Sequence, residues 1–161
     1  MSIILGIDPW TTTTWFAIIK NEWNKREILN YWVIETVPKE ELGIKLHQIS
    51  QDLEELLSSY KVDCCAIEKL FFTKNLKTWI DVAHARGIMI LAMAKRWIPI
   101  LEYTPLQVKQ WICWNWAATK KQVQNALVFL FKLKEIPKPD DAADAIAIAY
   151  IWSLRKIWLS C

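Results

Sequence analysis

Apolar and polar positions divide the first 35 residues into three extended segments. Ile3 to Ile7 is a short apolar run that ends at Asp8, and its length and β-branched residues predict a buried strand. Two further segments, Thr13 to Lys20 and Glu27 to Glu35, follow with turn-like breaks between them. We therefore expect three consecutive strands at the start of the chain.

A helical period follows these strands. Between Glu40 and Tyr60, leucine and isoleucine recur at intervals of four, three, four and three residues, which is the spacing of one helix face. Val62 to Ile67 predicts a fourth strand that delivers Glu68 at its end. A long helix is expected from about Leu76 to Arg96, and a fifth strand from Ile98 to Tyr103.

Two capping signals place the next helices. Residues 104 to 107 (Thr-Pro-Leu-Gln) have the form of a capping box with proline at the first helical position, and residues 119 to 122 (Thr-Lys-Lys-Gln) repeat the signature. The second of these helices is expected to present one apolar face: Val123, Leu127 and Leu130. The last helix should run from about Asp140 to Arg155. This order of elements predicts an α/β architecture, a mixed sheet with helices on both faces.

The length and composition agree with an ordinary globular protein. A chain of 161 residues can bury about 70% of its unfolded surface, so we expect one domain over residues 1–161. The longest apolar run, Ile88 to Ala94, is far shorter than the roughly 18 residues of a membrane span, and the start lacks the pattern of a signal peptide. We therefore expect a cytoplasmic protein. Its net charge of +3 is too small to establish nucleic-acid binding.

The cysteines show no metal-binding pattern. Cys64, Cys65, Cys113 and Cys161 have neither CxxC spacing nor a nearby pair of histidines, so zinc is not expected. We interpret them as reduced residues that pack as small apolar side chains.

Four acidic residues occupy positions from which they could meet. Asp8 ends the first predicted strand and Glu68 ends the fourth, and these strands could be neighbours in one sheet. Asp141 and Asp144 are three residues apart near the start of the last helix, where they share one face and the helix dipole favours anions. A pair of divalent cations about 4 Å apart, held by oxygen ligands, can clamp the attacking and leaving oxygens of a phosphodiester. The joint placement favours a metal site, although each acid alone fits a turn, strand-end or helix-start role better.

Several short motifs together resemble the RuvC family of Holliday-junction resolvases over nearly the whole chain. The most specific is Asp141-Ala142-Ala143-Asp144-Ala145 with its alanine-rich continuation. The others are Gly6-Ile7-Asp8-Pro9, the threonine run from Thr11 to Thr14, Ala66-Ile67-Glu68 followed by Phe71, Val108-Lys109-Gln110, and Lys120-Lys121-Gln122-Val123. Gly6-Ile7-Asp8 alone is a weak signal, because sugar kinases and actin-like ATPases begin similarly.

The resemblance implies an RNase H-like fold, a homodimer, and paired symmetrical nicks in a four-way DNA junction during recombination and repair. It implies two magnesium ions per active site, with manganese as a substitute, and RuvA and RuvB type branch-migration proteins as partners. The family's catalytic, metal-binding positions match Asp8, Glu68, Asp141 and Asp144. The helix from Leu76 to Arg96 resembles the family's dimer-forming helix, although a buried core helix is the competing interpretation.

The resemblance also assigns DNA contacts. It implies that Lys109 and Lys120 lie near the scissile phosphate, and that Phe71 stacks on an unpaired base at the junction, an interaction worth about 1 to 3 kcal/mol. A hydrophobic corner under the next helix is the alternative role for Phe71. We add Lys74 and Lys121 to the DNA-binding set, because they belong to a group of lysines near predicted loops and helix starts. Scattered solvated lysines are the alternative for that group.

Other functions compete with junction resolution. The acids specify phosphodiester cleavage and not the shape of the nucleic acid, so another RNase H-like nuclease that acts on RNA is one alternative. A nucleotide-binding fragment of the actin-like ATPase type is a second, but 161 residues leave no room for a second lobe. A third is a junction-binding protein without catalysis.

The composition has one anomaly: eleven tryptophans accompany only three glycines, the reverse of normal usage. Several tryptophans stand where turns favour glycine, and the family would place glycines at positions such as Trp10, Trp15, Trp32, Trp114 and Trp116. Our hypothesis is that many or all of them are glycines in the source, from a UGA codon that is read there as glycine. Glycine would then make up about 9% of the chain, close to its usual share. Genuine tryptophans in an aromatic-rich core are the alternative, and would put activity in doubt.

Overall fold

The structure, a computed structural model, describes residues 1–23, 25–70, 76–139 and 141–155, without the side chains of residues 76–78 and 155. Five strands form one mixed sheet in the order β3-β2-β1-β4-β5. The strands are β1 (Ser2–Asp8), β2 (Thr13–Glu22), β3 (Lys25–Glu35), β4 (Cys64–Glu68) and β5 (Ile100–Tyr103). The helices are α1 (Leu42–Ser59), α2 (Leu76–Lys95), α3 (Pro105–Cys113), α4 (Lys120–Phe131) and α5 (Ala142–Arg155).

Strand direction follows from the connections. β1, β2 and β3 are joined by short links and pair antiparallel, whereas β1, β4 and β5 pair parallel through helical crossovers. Successive side chains on β1 point to opposite faces of the sheet: Ile4 packs with α3, α4 and α5, whereas Leu5 packs with α1 and α2. The predicted mixed sheet with helices on both faces is confirmed.

Gly6 allows α5 to lie directly on β1. A Cβ atom at this position would stand 2.2 Å from the Ala145 carbonyl oxygen and 2.7 Å from the Ala149 Cβ. At Gly6 the backbones of the helix and the strand are therefore in close contact. This contact fixes the start of α5 relative to the carboxyl end of β1, where Asp8 lies.

Both predicted capping boxes are present. Thr104 Oγ1 accepts a hydrogen bond from the Gln107 backbone N–H (3.1 Å), and the Gln107 side chain accepts one from the Thr104 N–H (2.9 Å). Thr119 and Gln122 make the same reciprocal pair. Two backbone donors are thereby satisfied at the start of α3 and of α4, and the second box sets the position of Lys120.

Of three details of the prediction, one is confirmed and two are wrong. Asp8 ends β1 as predicted, and its backbone still pairs with Trp15 of β2. Asp141 precedes α5 instead of lying on it: the helix begins at Ala142, and the Asp141 carbonyl accepts a bond from the Asp144 N–H (3.1 Å). Leu130 is partly exposed near the end of α4, so the apolar face there is shorter than its periodicity indicates.

The expectations about membrane spans and cysteines can be compared with the described residues. None of the helices they form is long and apolar enough to span a membrane. Cys64 and Cys65 are buried and Cys113 is half-buried, and none of these three forms a disulfide, while Cys161 lies outside the described residues.

Candidate active site

Two neighbouring strand ends bring the first pair of acids together. β1 and β4 are parallel and in register at Ile7 and Ile67, so Asp8 and Glu68 leave the sheet side by side. A side-chain hydrogen bond joins their carboxyl groups. Asp8 is only 5% exposed. The expectation that these two residues leave from neighbouring strand ends is therefore confirmed.

Lys120 connects the second pair of acids. Its ammonium lies 2.5 Å from Asp141 Oδ1 and 3.1 Å from Asp144 Oδ2. Lys120 is the first residue of α4, and Asp144 is in the first turn of α5. Asp141 and Asp144 are thus held near each other by a shared cation, although only Asp144 belongs to the helix.

All four acids line one cavity of about 300 Å³ at the carboxyl ends of β1 and β4. The rest of its lining is formed by Trp10, Thr13, Trp15 and Lys120. As the side chains stand, no three His, Cys, Asp or Glu residues in the described ranges are grouped closely enough to hold a metal ion. The acids instead form two pairs: Asp8 with Glu68, and Asp141 with Asp144 around Lys120.

Burial and mutual repulsion control the protonation of the first pair. The pKa of Asp8 is raised to about 9, mainly by desolvation. The negative charge of Glu68, the hydrogen bond to it, and the charges of Asp144 and Asp141 contribute in the same direction. Burial also raises the pKa of Glu68, although the hydrogen bond from Asp8 and the charge of Lys120 oppose this. In the metal-free protein at neutral pH, Asp8 therefore carries the proton that the pair shares.

The second pair behaves differently because Lys120 neutralises it. Partial burial alone would lower the pKa of Lys120, but its hydrogen bonds and attraction to Asp141 and Asp144 outweigh this effect and raise the pKa. Lys120 is consequently charged at neutral pH. It occupies the place between two carboxylates that a cation would take.

The donor set suits a hard divalent cation. Four carboxylates surround the cavity, and oxygen ligands of this kind are those that magnesium and manganese prefer. Asp8 Oδ1 is buried and has no hydrogen-bond partner within the described part of the chain. A buried carboxylate oxygen without a partner is costly, and a bound cation would satisfy it.

A smaller cavity of about 170 Å³ adjoins the acids and adds a second lysine. Lys109 from α3 lines it together with Glu68, Lys120 and Asp144. Lys121 is exposed on α4 and lines neither cavity. Phe71 and Lys74 lie outside the described residues. Of the five predicted DNA contacts, Lys109 and Lys120 therefore stand beside the acids.

Sequence reasoning missed Arg86, which supports the end of β4 from α2. Its Nε donates to the Glu68 carbonyl oxygen (3.2 Å), and its guanidinium pairs with Glu102 of β5 (2.8 Å). The arginine links a helix to two parallel strands and fixes the backbone that carries Glu68. No sequence signal marks it, because an arginine within a helix is ordinary and its partners are distant in the chain.

We expect the stability of the metal-free protein to fall as the pH rises. The folded pKa of Asp8, about 9, lies above its ordinary value of 3.8, so between these limits the folded state holds a proton that the unfolded state has released. The melting temperature, measured with chelator present, should therefore decline from pH 5 to pH 9. The slope should be smaller in Asp8→Asn, which cannot ionise there; an unchanged slope would contradict the assignment.

Comparisons with known proteins agree with this geometry. The family model "Crossover junction endodeoxyribonuclease RuvC" matches residues 4–152. A RuvC from Syntrophomonas wolfei is 44% identical over 91% of this chain and 85% of its own length. The solved Thermus thermophilus RuvC aligns with TM-score 0.84 and 29% identity, over 91% of this chain and 90% of that one. The same protein in complex with Holliday junction substrate aligns with TM-score 0.82 and 28% identity, over the same shares of both chains. The fold is thus RNase H-like, and the chain belongs to the RuvC family of crossover junction endodeoxyribonucleases.

Proposed function

We propose that this protein is a metal-dependent endodeoxyribonuclease that resolves Holliday junctions by paired symmetrical nicks during homologous recombination and DNA repair. The observation that carries the proposal is the cavity lined by Asp8, Glu68, Asp141 and Asp144. The likeness to a RuvC solved with a Holliday junction substrate supports the choice of DNA.

The four acids would hold two divalent cations, with magnesium as the natural choice and manganese as a substitute. When bound, the ions supply an activated water nucleophile and stabilise the departing 3′ oxygen. Asp8 would give up its proton on loading and present its unpartnered Oδ1 as a ligand. The side chains need no nucleophile of their own. The role of the four acids is to hold the ligand oxygens in place. The contact of α5 with β1 and the hydrogen bond from Arg86 to the Glu68 carbonyl both help to fix these positions.

The lysines would hold the DNA backbone. Lys109 and Lys120 adjoin the acids from α3 and α4, so their ammonium groups can bind the phosphate on either side of the cleavage point. Lys121, Lys74 and Phe71 would make further contacts with the DNA, the phenylalanine by stacking on an unpaired base.

Two symmetrical nicks require two active sites, so the working form would be a homodimer. α2 exposes Ile80 and Leu91, side chains that a second copy could cover. Of the other positions on this helix, Ala92 is buried in the core and Ile88 is half-buried, so α2 also serves the core of its own chain. One domain over residues 1–161 would carry the activity, in the cytoplasm, with RuvA and RuvB type proteins as partners.

A synthetic four-way junction tests the proposal. We expect magnesium to start cleavage of two opposite strands at symmetrical positions, and chelation to stop it. A linear duplex with the sequence of one arm and an RNA duplex of equal length are the controls. Preferred cleavage of the RNA would support the alternative nuclease, and binding without any cleavage would support a junction-binding protein.

Replacement of Lys120 by methionine should separate metal binding from cleavage. Removal of the ammonium frees Asp141 and Asp144 from their internal cation, so manganese affinity, measured by calorimetry on the DNA-free protein, should rise by about tenfold, or ~1.4 kcal/mol. Junction cleavage should nevertheless fall by on the order of 100-fold, because a donor to the phosphate is lost.

Lys121→Met is the matched control. This neighbouring lysine lines neither cavity, so manganese affinity should stay the same. Junction binding should weaken slightly. The slope of the logarithm of the binding constant against the logarithm of salt concentration should become shallower by about one, as expected for the loss of one phosphate contact. Unchanged manganese affinity in Lys120→Met would contradict the role given to Lys120.

A further inference from the structure

Two tryptophans hold a backbone conformation that suits glycine. Trp97 has a φ of 57° and Trp114 a φ of 54°, and Lys132 is the one other non-glycine residue with positive φ in the described ranges. In this region the Cβ of an L residue crowds the following carbonyl oxygen, which glycine avoids. The chain's three glycines lie within β1, α1 and α2, and none has positive φ. Glycines therefore lie within regular elements, while tryptophans occupy backbone positions at which glycine is usual.

Trp97 occupies the position at which helices most often end on glycine. Its backbone N–H donates to the Ala94 carbonyl (3.0 Å), and the Ile98 N–H donates to the Met93 carbonyl (3.0 Å). These two bonds form a Schellman motif, in which the residue in the left-handed conformation is usually glycine. The Trp97 side chain is 93% exposed, so no packing compensates for the strain.

Other tryptophans occupy turns without burying their rings. Glu22 pairs with Lys25 across the β2–β3 hairpin, so a two-residue link starting at Trp23 connects the strands. Such links favour glycine. Trp23 is 91% exposed, and Trp116, in the turn after α3, is 67% exposed. A tryptophan normally buries most of its large ring, which these do not.

One partly buried tryptophan lacks the partner that its polar atom needs. The Trp152 indole N–H in α5 is buried and has no hydrogen-bond acceptor in the described part of the chain. Buried indole N–H groups are normally paired. A residue without a side chain would remove this unpaired donor.

We propose that the native protein carries glycine at these tryptophan positions, because the source reads UGA, and not only the four glycine codons, as glycine. Three structural observations support this proposal independently of the composition. They are the positive φ of Trp97 and Trp114, the hairpin link that starts at Trp23, and the unpaired indole N–H of Trp152. All positions encoded by UGA change together under this proposal, whereas any encoded by UGG remain tryptophan.

The proposal changes the mouth of the acidic cavity. Trp10 and Trp15 both line the cavity, and the centre of the Trp10 ring lies 5.9 Å from that of the Trp79 ring. Glycine at position 10 would remove the ring beside Asp8 and let a DNA backbone approach the acids. The inference does not depend on the proposed function, since it concerns which residues are incorporated.

The coding DNA and native peptides test the proposal directly. Peptides of the protein isolated from source cells should show glycine wherever the gene has UGA, with Trp23, Trp97, Trp114, Trp116 and Trp152 among those positions. Tryptophan in native peptides at UGA codons would overturn the proposal, and so would UGG codons at Trp97 and Trp114.

Recombinant variants test the backbone argument. Trp97→Gly and Trp114→Gly should each raise the melting temperature by roughly 2 to 4 °C. Trp97→Ala is the matched control: it removes the same indole but keeps the Cβ, so it should not give this rise. Equal stabilisation by alanine and glycine, or a fall in melting temperature with glycine, would contradict the argument.

Discussion

Asp8→Asn should lower the rate of junction cleavage by on the order of 10³-fold, or ~4 kcal/mol of transition-state stabilisation, and leave junction binding nearly unchanged. Asp8 is buried, interacts electrostatically with the three other acids, and has one carboxyl oxygen without a partner in the described part of the chain, so an amide cannot replace it as a ligand. Single-turnover cleavage with magnesium and a gel-shift assay in calcium measure the two effects.

The fold should survive this substitution. Asp8 is protonated in the metal-free protein and donates to Glu68, and an asparagine amide can donate in the same place. The melting temperature with chelator at neutral pH should therefore be equal to or higher than that of the parent chain. Asp52→Asn, on α1, is the matched control and should cut normally. Equal cleavage by Asp8→Asn would remove that residue from the mechanism.

Gly6→Ala should destabilise the protein by about 3 kcal/mol or more, a fall in melting temperature of roughly 10 °C. The added Cβ would collide with the Ala145 carbonyl oxygen and the Ala149 Cβ, so α5 would have to move away from β1. Because α5 carries Asp144, cleavage should fall as well, even at temperatures where the variant remains folded.

Gly43→Ala and Gly87→Ala are the matched controls. Both residues lie in helices, and a Cβ at either position meets nothing within 4 Å. Alanine favours a helix over glycine by up to ~1 kcal/mol, so each control should keep or raise the melting temperature. A Gly6→Ala variant as stable as these controls would contradict the close packing of α5 on β1.

Local sequence signals predicted the elements well. The capping boxes at Thr104 and Thr119 fix helix starts through bonds between residues three apart, which a sequence shows directly. The apolar run ending at Asp8 and the one ending before Glu68 predicted the strands that meet at the site. That these strands are adjacent was only a possibility in the sequence, because pairing depends on the path of the whole chain.

The errors arose where tertiary contacts decide. Periodicity placed Leu130 on the buried face of α4, but helix period alone does not indicate where the covering elements end. The pairing of Lys120 with Asp141 and Asp144 joins residues more than twenty positions apart, so spacing could not predict it. The sequence also could not predict the hydrogen bond from Arg86 to the Glu68 carbonyl, because these residues are distant in the chain.

The ion pairs of Lys120 with Asp141 and Asp144 affect the stability of the protein when no metal is bound. Some small metalloproteins cannot fold without their ion, because metal binding supplies much of their folding free energy. Here the Lys120 ammonium neutralises the charges of Asp141 and Asp144, and the bound proton removes the negative charge of Asp8. The chain can therefore fold without metal and bind the proposed ions afterwards.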